Sequence, residues 1–202
     1  MLAATAGLPV SVAQEQADTN LILFTSSTYA LAVDEQCQVL DYAQLETARY
    51  LQGETRVSIG QRYAADAIEA EEARVKKLAQ DSWAGCLDRS THPAEWEPVD
   101  QTRLYADALI AAPGMMGEGI TSCGTSKDSY QIRRSEMTAA LEDRAKAYEG
   151  TAALESFQSI SSTLADSIAV NCSNVGNSPD MMGVMTWRER RDTTRKHEAG
   201  QE

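Results

Sequence analysis

Four cysteines carry the most explicit chemistry in this chain: Cys37, Cys86, Cys123 and Cys172. The first two lie 86 − 37 = 49 residues apart and the last two 172 − 123 = 49 apart. An even count at matched spacing is the pattern of a disulfide framework made in an oxidising compartment. Of the three pairings that four cysteines allow, the spacing favours Cys37–Cys86 and Cys123–Cys172. Each bridge would close a loop of about 50 residues, which chain entropy values at roughly 4 kcal/mol. Cysteines this far apart lack the short Cys-x2–4-Cys spacing of a structural zinc site. No Cys-x-x-Cys-His run is present for haem attachment.

Other catalytic and metal patterns are thin. The only histidines are His92 and His197, and neither has Glu three residues before it, so the Glu-x-x-His pairs of di-iron bundles are missing. Neither a Gly-x4-Gly-Lys phosphate loop nor a Gly-x-Ser-x-Gly elbow occurs. Gly114, Gly117 and Gly119 lack the spacing of a dinucleotide loop. A loop site around His92, close to Trp96, is the catalytic alternative. The expectation is a protein that is not an enzyme and holds no cofactor and no metal.

Two weaker patterns could bind something. Pro-x-Met-Met-Gly occurs at Pro113–Gly117 and again at Pro179–Gly183, with Met185 following Met182 at a three-residue step. Thioethers select Cu(I), so a Met-rich copper binder is the second alternative. Met pairs also fill gaps where loops cross a core, which is the expectation preferred here. The run Trp187-Arg188-Glu189-Arg190-Arg191 has Arg195 and Lys196 behind it. Residues 187–202 hold five basic and four acidic side chains, against 18 − 5 = 13 basic and 30 − 4 = 26 acidic in the rest. Trp187, Arg188, Arg190 and Arg191 are therefore the candidate partner-binding residues, an aromatic and arginine set suited to anchoring on an acidic protein.

The net charge of −12 argues against a nucleic-acid binder and against a protein that docks on anionic lipid. Aromatic residues make up only 6% of the chain, and alanine is abundant, which favours thin, closely packed helices. No stretch has the 18 uncharged apolar residues of a membrane span. Residues 1–13 are apolar and small and end in Ser11-Val12-Ala13, so residues 1–20 read as an export-signal remnant and a flexible N-terminus.

The elements that must position these residues are helical. Leu21–Phe24 is a short apolar run open to a strand or an anchoring segment. Asp41 with Gln44 makes a capping box, Leu45, Ala48 and Leu51 continue the stripe, and Gln52-Gly53 marks a stop. A long helix is predicted over 58–83 from Ile59, Tyr63, Ala67, Ala70 and Leu78, with Cys86 just past it. A loop over 87–98 precedes a helix capped by Asp100 and ended by Ala112-Pro113-Gly114. Residues 113–130 read as loop, Ser135 opens the next helix, and Gly150 interrupts it. Thr151 then caps a helix whose face is Leu154, Phe157, Ile160, Leu164 and Ile168.

A shift of 86 residues places Ala67-Ile68-Glu69 on Ala153-Leu154-Glu155 and Leu78-Ala79 on Leu164-Ala165. The reading is an all-α protein of helical hairpins or a bundle stapled by two disulfides over 21–172. Residues 37–86 and 123–172 are candidate repeats, and 173–202 a flexible polar tail. The expected role is that of a periplasmic or secreted, non-catalytic module that binds a protein or envelope component.

Overall fold

The computed structural model describes the backbone of residues 12–115 and 127–175, and side chains over 19–115 and 137–167. Six helices account for it: α1 (Val12–Cys37), α2 (Tyr42–Ile59), α3 (Ala65–Ser82), α4 (Pro93–Met115), α5 (Lys127–Lys146) and α6 (Ala153–Val175). Among the described residues there is no strand. The expected all-α class is what the chain adopts.

Helix α1 takes in both the polar stretch 14–20, expected to be flexible, and Leu21–Phe24, left open to a strand. The run has helical logic: Leu21 and Phe24 stand three residues apart on one face, and Phe24 is sealed against Ile59 and Ile68. The following Thr25-Ser-Ser-Thr28 is polar yet remains helical because hydroxyls bond back one turn. Thr25 Oγ1 donates to the Leu21 carbonyl at 3.0 Å and Ser27 Oγ to that of Leu23 at 2.7 Å.

The capping box at Asp41 forms as the sequence predicts. Gln44 N donates to Asp41 Oδ1 at 2.8 Å, and Asp41 N to Gln44 Oε1 at 3.1 Å. Gly53 does not stop α2, which runs on to Ile59. A glycine inside a helix costs only about 1 kcal/mol, which packing on α1 outweighs. The helix predicted over 58–83 is correspondingly shorter. A turn at 60–64 separates α2 from α3, so the two are 18 residues each. That equality removes the length mismatch that a 58–83 helix would have imposed on a Cys37–Cys86 bridge.

Helix α4 starts earlier and ends later than predicted. Pro93 occupies its first turn, where a missing N–H costs nothing. Asp100 pairs with Arg89 at 2.7 Å from mid-helix instead of capping. Pro113 and Gly114 stay inside the helix. A Cβ on Gly114 would come 2.5 Å from the Met137 carbonyl oxygen, so this glycine marks a backbone-to-backbone crossing of α4 and α5 rather than a stop. Helix α5 likewise begins at Lys127, before Ser135. Gly150, at φ 73°, supplies the left-handed turn that separates α5 from α6. Thr151 accepts from the Ala153 N–H at 3.3 Å, the cap expected there.

Each set of three helices is organised about its first member. Helices α2 and α3 both pack on α1 and hardly on each other, and α5 and α6 both pack on α4. Helix α4 also lies against α1 and α2, joining the two sets. The first core gathers Tyr29, Val33, Leu40, Val75, Ala79, Trp83 and Val99. Trp83 Nε1 donates to the Tyr29 hydroxyl at 2.9 Å, and Trp96 meets the Trp83 ring edge-on at 5.1 Å. The second core holds Phe157 against Ala108 and Ala111, with Leu104, Leu141, Ile160 and Leu164 around it.

Cys37 ends α1, Cys86 follows α3, and the two are disulfide-bonded with Cα atoms 5.5 Å apart. Cys123 lies outside the described residues, and Cys172 lies in α6 beyond its described side chains. Adding 86 to the bounds of α2 gives 42 + 86 = 128 and 59 + 86 = 145, inside α5. Adding it to α3 gives 151 and 168, two residues ahead of the start of α6 and seven short of its end. The same offset carries α1 to 12 + 86 = 98 and 37 + 86 = 123, against 93–115 for α4, so it fits the second and third helices of each set and not the first.

Candidate functional site

A groove of about 830 Å³ opens between the N-terminal half of α4 and the α5–α6 turn. Its α4 wall carries Pro93, Ala94, Glu97, Gln101 and Leu104, and its turn wall Ala147, Tyr148, Thr151 and Ala153. This size is in the range that takes a small molecule or a short peptide segment.

The floor is a buried ionic cluster that the sequence reading missed. Asp107 is 1% exposed and accepts from three side chains on three different segments. Gln44 Nε2 of α2 reaches its two oxygens at 3.1 and 2.9 Å, Arg144 of α5 reaches Oδ1 at 3.0 Å, and the Tyr148 hydroxyl of the turn reaches Oδ2 at 2.7 Å. Arg144 also donates to Asp41 Oδ2 at 2.6 Å. The capping residue of α2 is thus the second counter-ion of an arginine 103 residues away. Burial pushes the Asp107 carboxyl up against the opposing pull of Arg144, Tyr148 and Gln44. The Tyr148 hydroxyl is pushed well above its ordinary value by burial and by the Asp107 charge. With every acceptor position on Asp107 engaged, this carboxylate locks helices together.

Two more arginines, Arg89 and Arg103, line the groove and lie near Trp96, which does not line it. The guanidinium carbons of Arg89 and Arg103 each lie 6.0 Å from the Trp96 ring centre. Arg89 is held by Asp100, while Arg103 and Glu97 make no ion pair within 4 Å among the described residues. Arg103, Glu97 and the exposed edges of Ala94 and Thr151 are the surfaces the groove offers to a visitor.

His92 sits just before α4, exposed, with Nδ1 2.8 Å from the Thr91 hydroxyl. Its neighbour Pro93 lines the groove; the histidine ring itself does not. Trp187, Arg188, Arg190 and Arg191 lie outside the described residues, as do Met116, Met181, Met182 and Met185. Met115 is at the end of α4, exposed. Among the described residues no three His, Cys, Asp or Glu side chains come together as a metal site, and no helix is long and apolar enough to cross a membrane.

Asp107 could have been suspected from its position. It interrupts the alanine-rich stretch Ala106–Ala112, where an unpaired charge would be intolerable. Its partners could not, because Gln44, Arg144 and Tyr148 share no local pattern with it.

The carboxylates set the pH response. Burial raises Asp34, Asp100 and Asp107, so the folded chain takes up these protons at higher pH than the unfolded chain. Their contribution is full below the ordinary carboxylate value and is lost as pH rises through their folded values. Glu71 and Glu72 are lowered, chiefly by hydrogen bonds from Arg74 and Lys76, and their contribution is lost as pH falls through their folded values. Falling pH is therefore expected to add stability as Asp34, Asp100 and Asp107 take up protons above the ordinary carboxylate value, and to remove it as Glu71 and Glu72 take them up below that value. Urea midpoints taken above and below that value check it; a monotonic fall from pH 7 downward would contradict the assigned burial.

No protein-family model, curated protein or solved structure matches the chain.

Proposed function

We propose that this is an exported, non-catalytic helical module of duplicated build, stapled by Cys37–Cys86 and Cys123–Cys172, that holds a protein or envelope partner in the α4/turn groove. The groove carries the reading: it is large, and Asp107, its buried carboxylate, is fully engaged in locking α2, α4, α5 and the turn together. A group so engaged shapes the groove's floor and is held by the helices rather than turned to a visitor. The described disulfide supports an oxidising compartment. The 86-residue offset shared by the cysteines and by the second and third helices of each set supports the duplication and the second bridge. A catalytic role for His92 has less behind it, since its ring is turned to Thr91 in solvent.

Photo-crosslinking amino acids placed at Ala94 or Thr151, both exposed on the groove, are expected to capture a discrete partner in the producing cells. The same group at Lys77, on the exposed side of α3, should not. Equal labelling from all three positions would overturn the groove as the binding surface. Non-reduced peptide mapping tests the build, and a Cys37–Cys123 or Cys37–Cys172 link would overturn it.

A further inference from the structure

Almost every described cation of this chain is matched by a carboxylate. Ten Lys and Arg side chains are described, and eight of them have an Asp or Glu oxygen within 4.0 Å. The 10 − 8 = 2 left over are Arg62 and Arg103. Arg62 is exposed in the turn between α2 and α3, where water solvates it. Arg103 is partly buried on α4 and lines the groove. In a chain with 30 acidic and 18 basic residues, a partly buried guanidinium without a carboxylate is an exception, because burial of a charge costs unless it is paired.

A ring, not a counter-ion, holds Arg103. Its guanidinium carbon lies over Trp96, 6.0 Å from the ring centre. That ring is itself fixed, since Trp96 Nε1 donates to the Leu87 carbonyl at 3.0 Å and Trp83 meets it edge-on at 5.1 Å. An aromatic face positions a guanidinium and takes none of its five N–H donors. No hydrogen bond from those donors forms among the described residues. Arg89, over the same ring, differs: Asp100 holds it at 2.7 Å.

We infer, on the reading that the groove is the binding surface, that Arg103 is its recognition residue and takes one Asp or Glu carboxylate of a partner polypeptide. A planar carboxylate accepts two parallel N–H bonds from one guanidinium. Charge selects it over a phosphate. Three carboxylates, Glu97, Asp100 and Asp107, also line the groove, so a singly charged group fits where a doubly charged one is repelled. At about 830 Å³ the groove has room for the residues on either side of the acidic one, and Pro93, Leu104 and Ala147 give them apolar surface.

The probe is the blocked tripeptide acetyl-Leu-Glu-Leu-amide, titrated into the full chain while arginine Nε–Hε and alanine methyl resonances are followed. The Arg103 Nε–Hε signal and the Ala94 and Ala147 methyls are expected to shift saturably. Acetyl-Leu-Gln-Leu-amide has the same shape without the charge and should bind about tenfold or more weakly. Arg103→Met should bring the Glu peptide down to the affinity of the Gln peptide, and Arg103→Lys should recover only part, since an ammonium lacks the bidentate fork. Arg62→Met, at the other unpaired arginine, should leave binding unchanged. Equal affinity for the two peptides in the unsubstituted chain would overturn the inference without any variant. So would undiminished binding by Arg103→Met, displacement of the Glu peptide by equimolar inorganic phosphate, or the absence of saturable shifts. Cross-linking judges the groove separately. Capture from Ala94 or Thr151 that is as strong in Arg103→Met as in the unsubstituted chain would leave the groove standing and remove Arg103 from recognition. Absence of capture from the unsubstituted chain would remove the groove, while the peptide comparison still decides what Arg103 binds.

Discussion

Arg144→Met is expected to lower the unfolding free energy by about 3–5 kcal/mol, the range for breaking a buried ion pair from one side. The substitution preserves most of the side-chain volume and removes the charge. Asp107 would then be 1% exposed with only the neutral donors Gln44 and Tyr148, and Asp41 would lose its bond as well. The cost comes from the stranded carboxylate more than from the lost attraction. Adding Asp107→Asn to Arg144→Met should therefore recover part of the loss, because an amide oxygen still accepts from Gln44 and Tyr148 without a buried charge. Urea unfolding of the two single variants and the double variant measures this coupling. Strict additivity would mean that the cluster is not a unit.

Removing the described bridge, as Cys37→Ala with Cys86→Ala, is expected to cost roughly 4 kcal/mol or somewhat less. The bridge closes a loop spanning 49 residues of sequence separation, and most of its effect falls on the unfolded chain. Native contacts across it need not change, because Trp83, Tyr29 and Leu40 still hold the end of α1 to the end of α3. The variant should thus unfold at lower urea and keep its helical circular dichroism in water. Loss of helical signal before the main transition would show instead that the loop after α3 depends on the bridge for its structure.

Much of the fold is determined by local physics that a single sequence contains. The Asp41–Gln44 capping box and the Thr151 cap depend on neighbours within one turn, and both are found where the sequence places them. The stripe read over 58–83 is not: α3 buries Ile68, Val75 and Ala79, while Tyr63, Ala67, Ala70 and Leu78 are exposed. The pairing of Cys37 with Cys86 also followed from spacing, since a there-and-back helical path returns the chain to its start. Helix ends were less legible. Gly53, Pro113 and Gly114 are breakers by intrinsic preference, but packing on α1 and α5 carries the helices through them. Preferences of about 1 kcal/mol yield to tertiary burial of a whole helix face.

The groove and its floor were decided by tertiary structure alone. Gln44, Asp107, Arg144 and Tyr148 come from three helices and a turn, 63 and 37 and 41 residues from Asp107 along the chain. No periodicity links residues so far apart, and each by itself reads as an ordinary polar side chain. Their meeting depends on where α4 crosses α2 and α5. That crossing is set by the small side chains of Ala106, Ala108, Ala111 and Ala112 and by the bare backbone of Gly114. The sequence by itself determined a helical, disulfide-stapled chain with an 86-residue offset. Only close packing of thin helices brought the charges into one buried cluster, because the distance between helix axes is fixed by side-chain volumes on both partners at once.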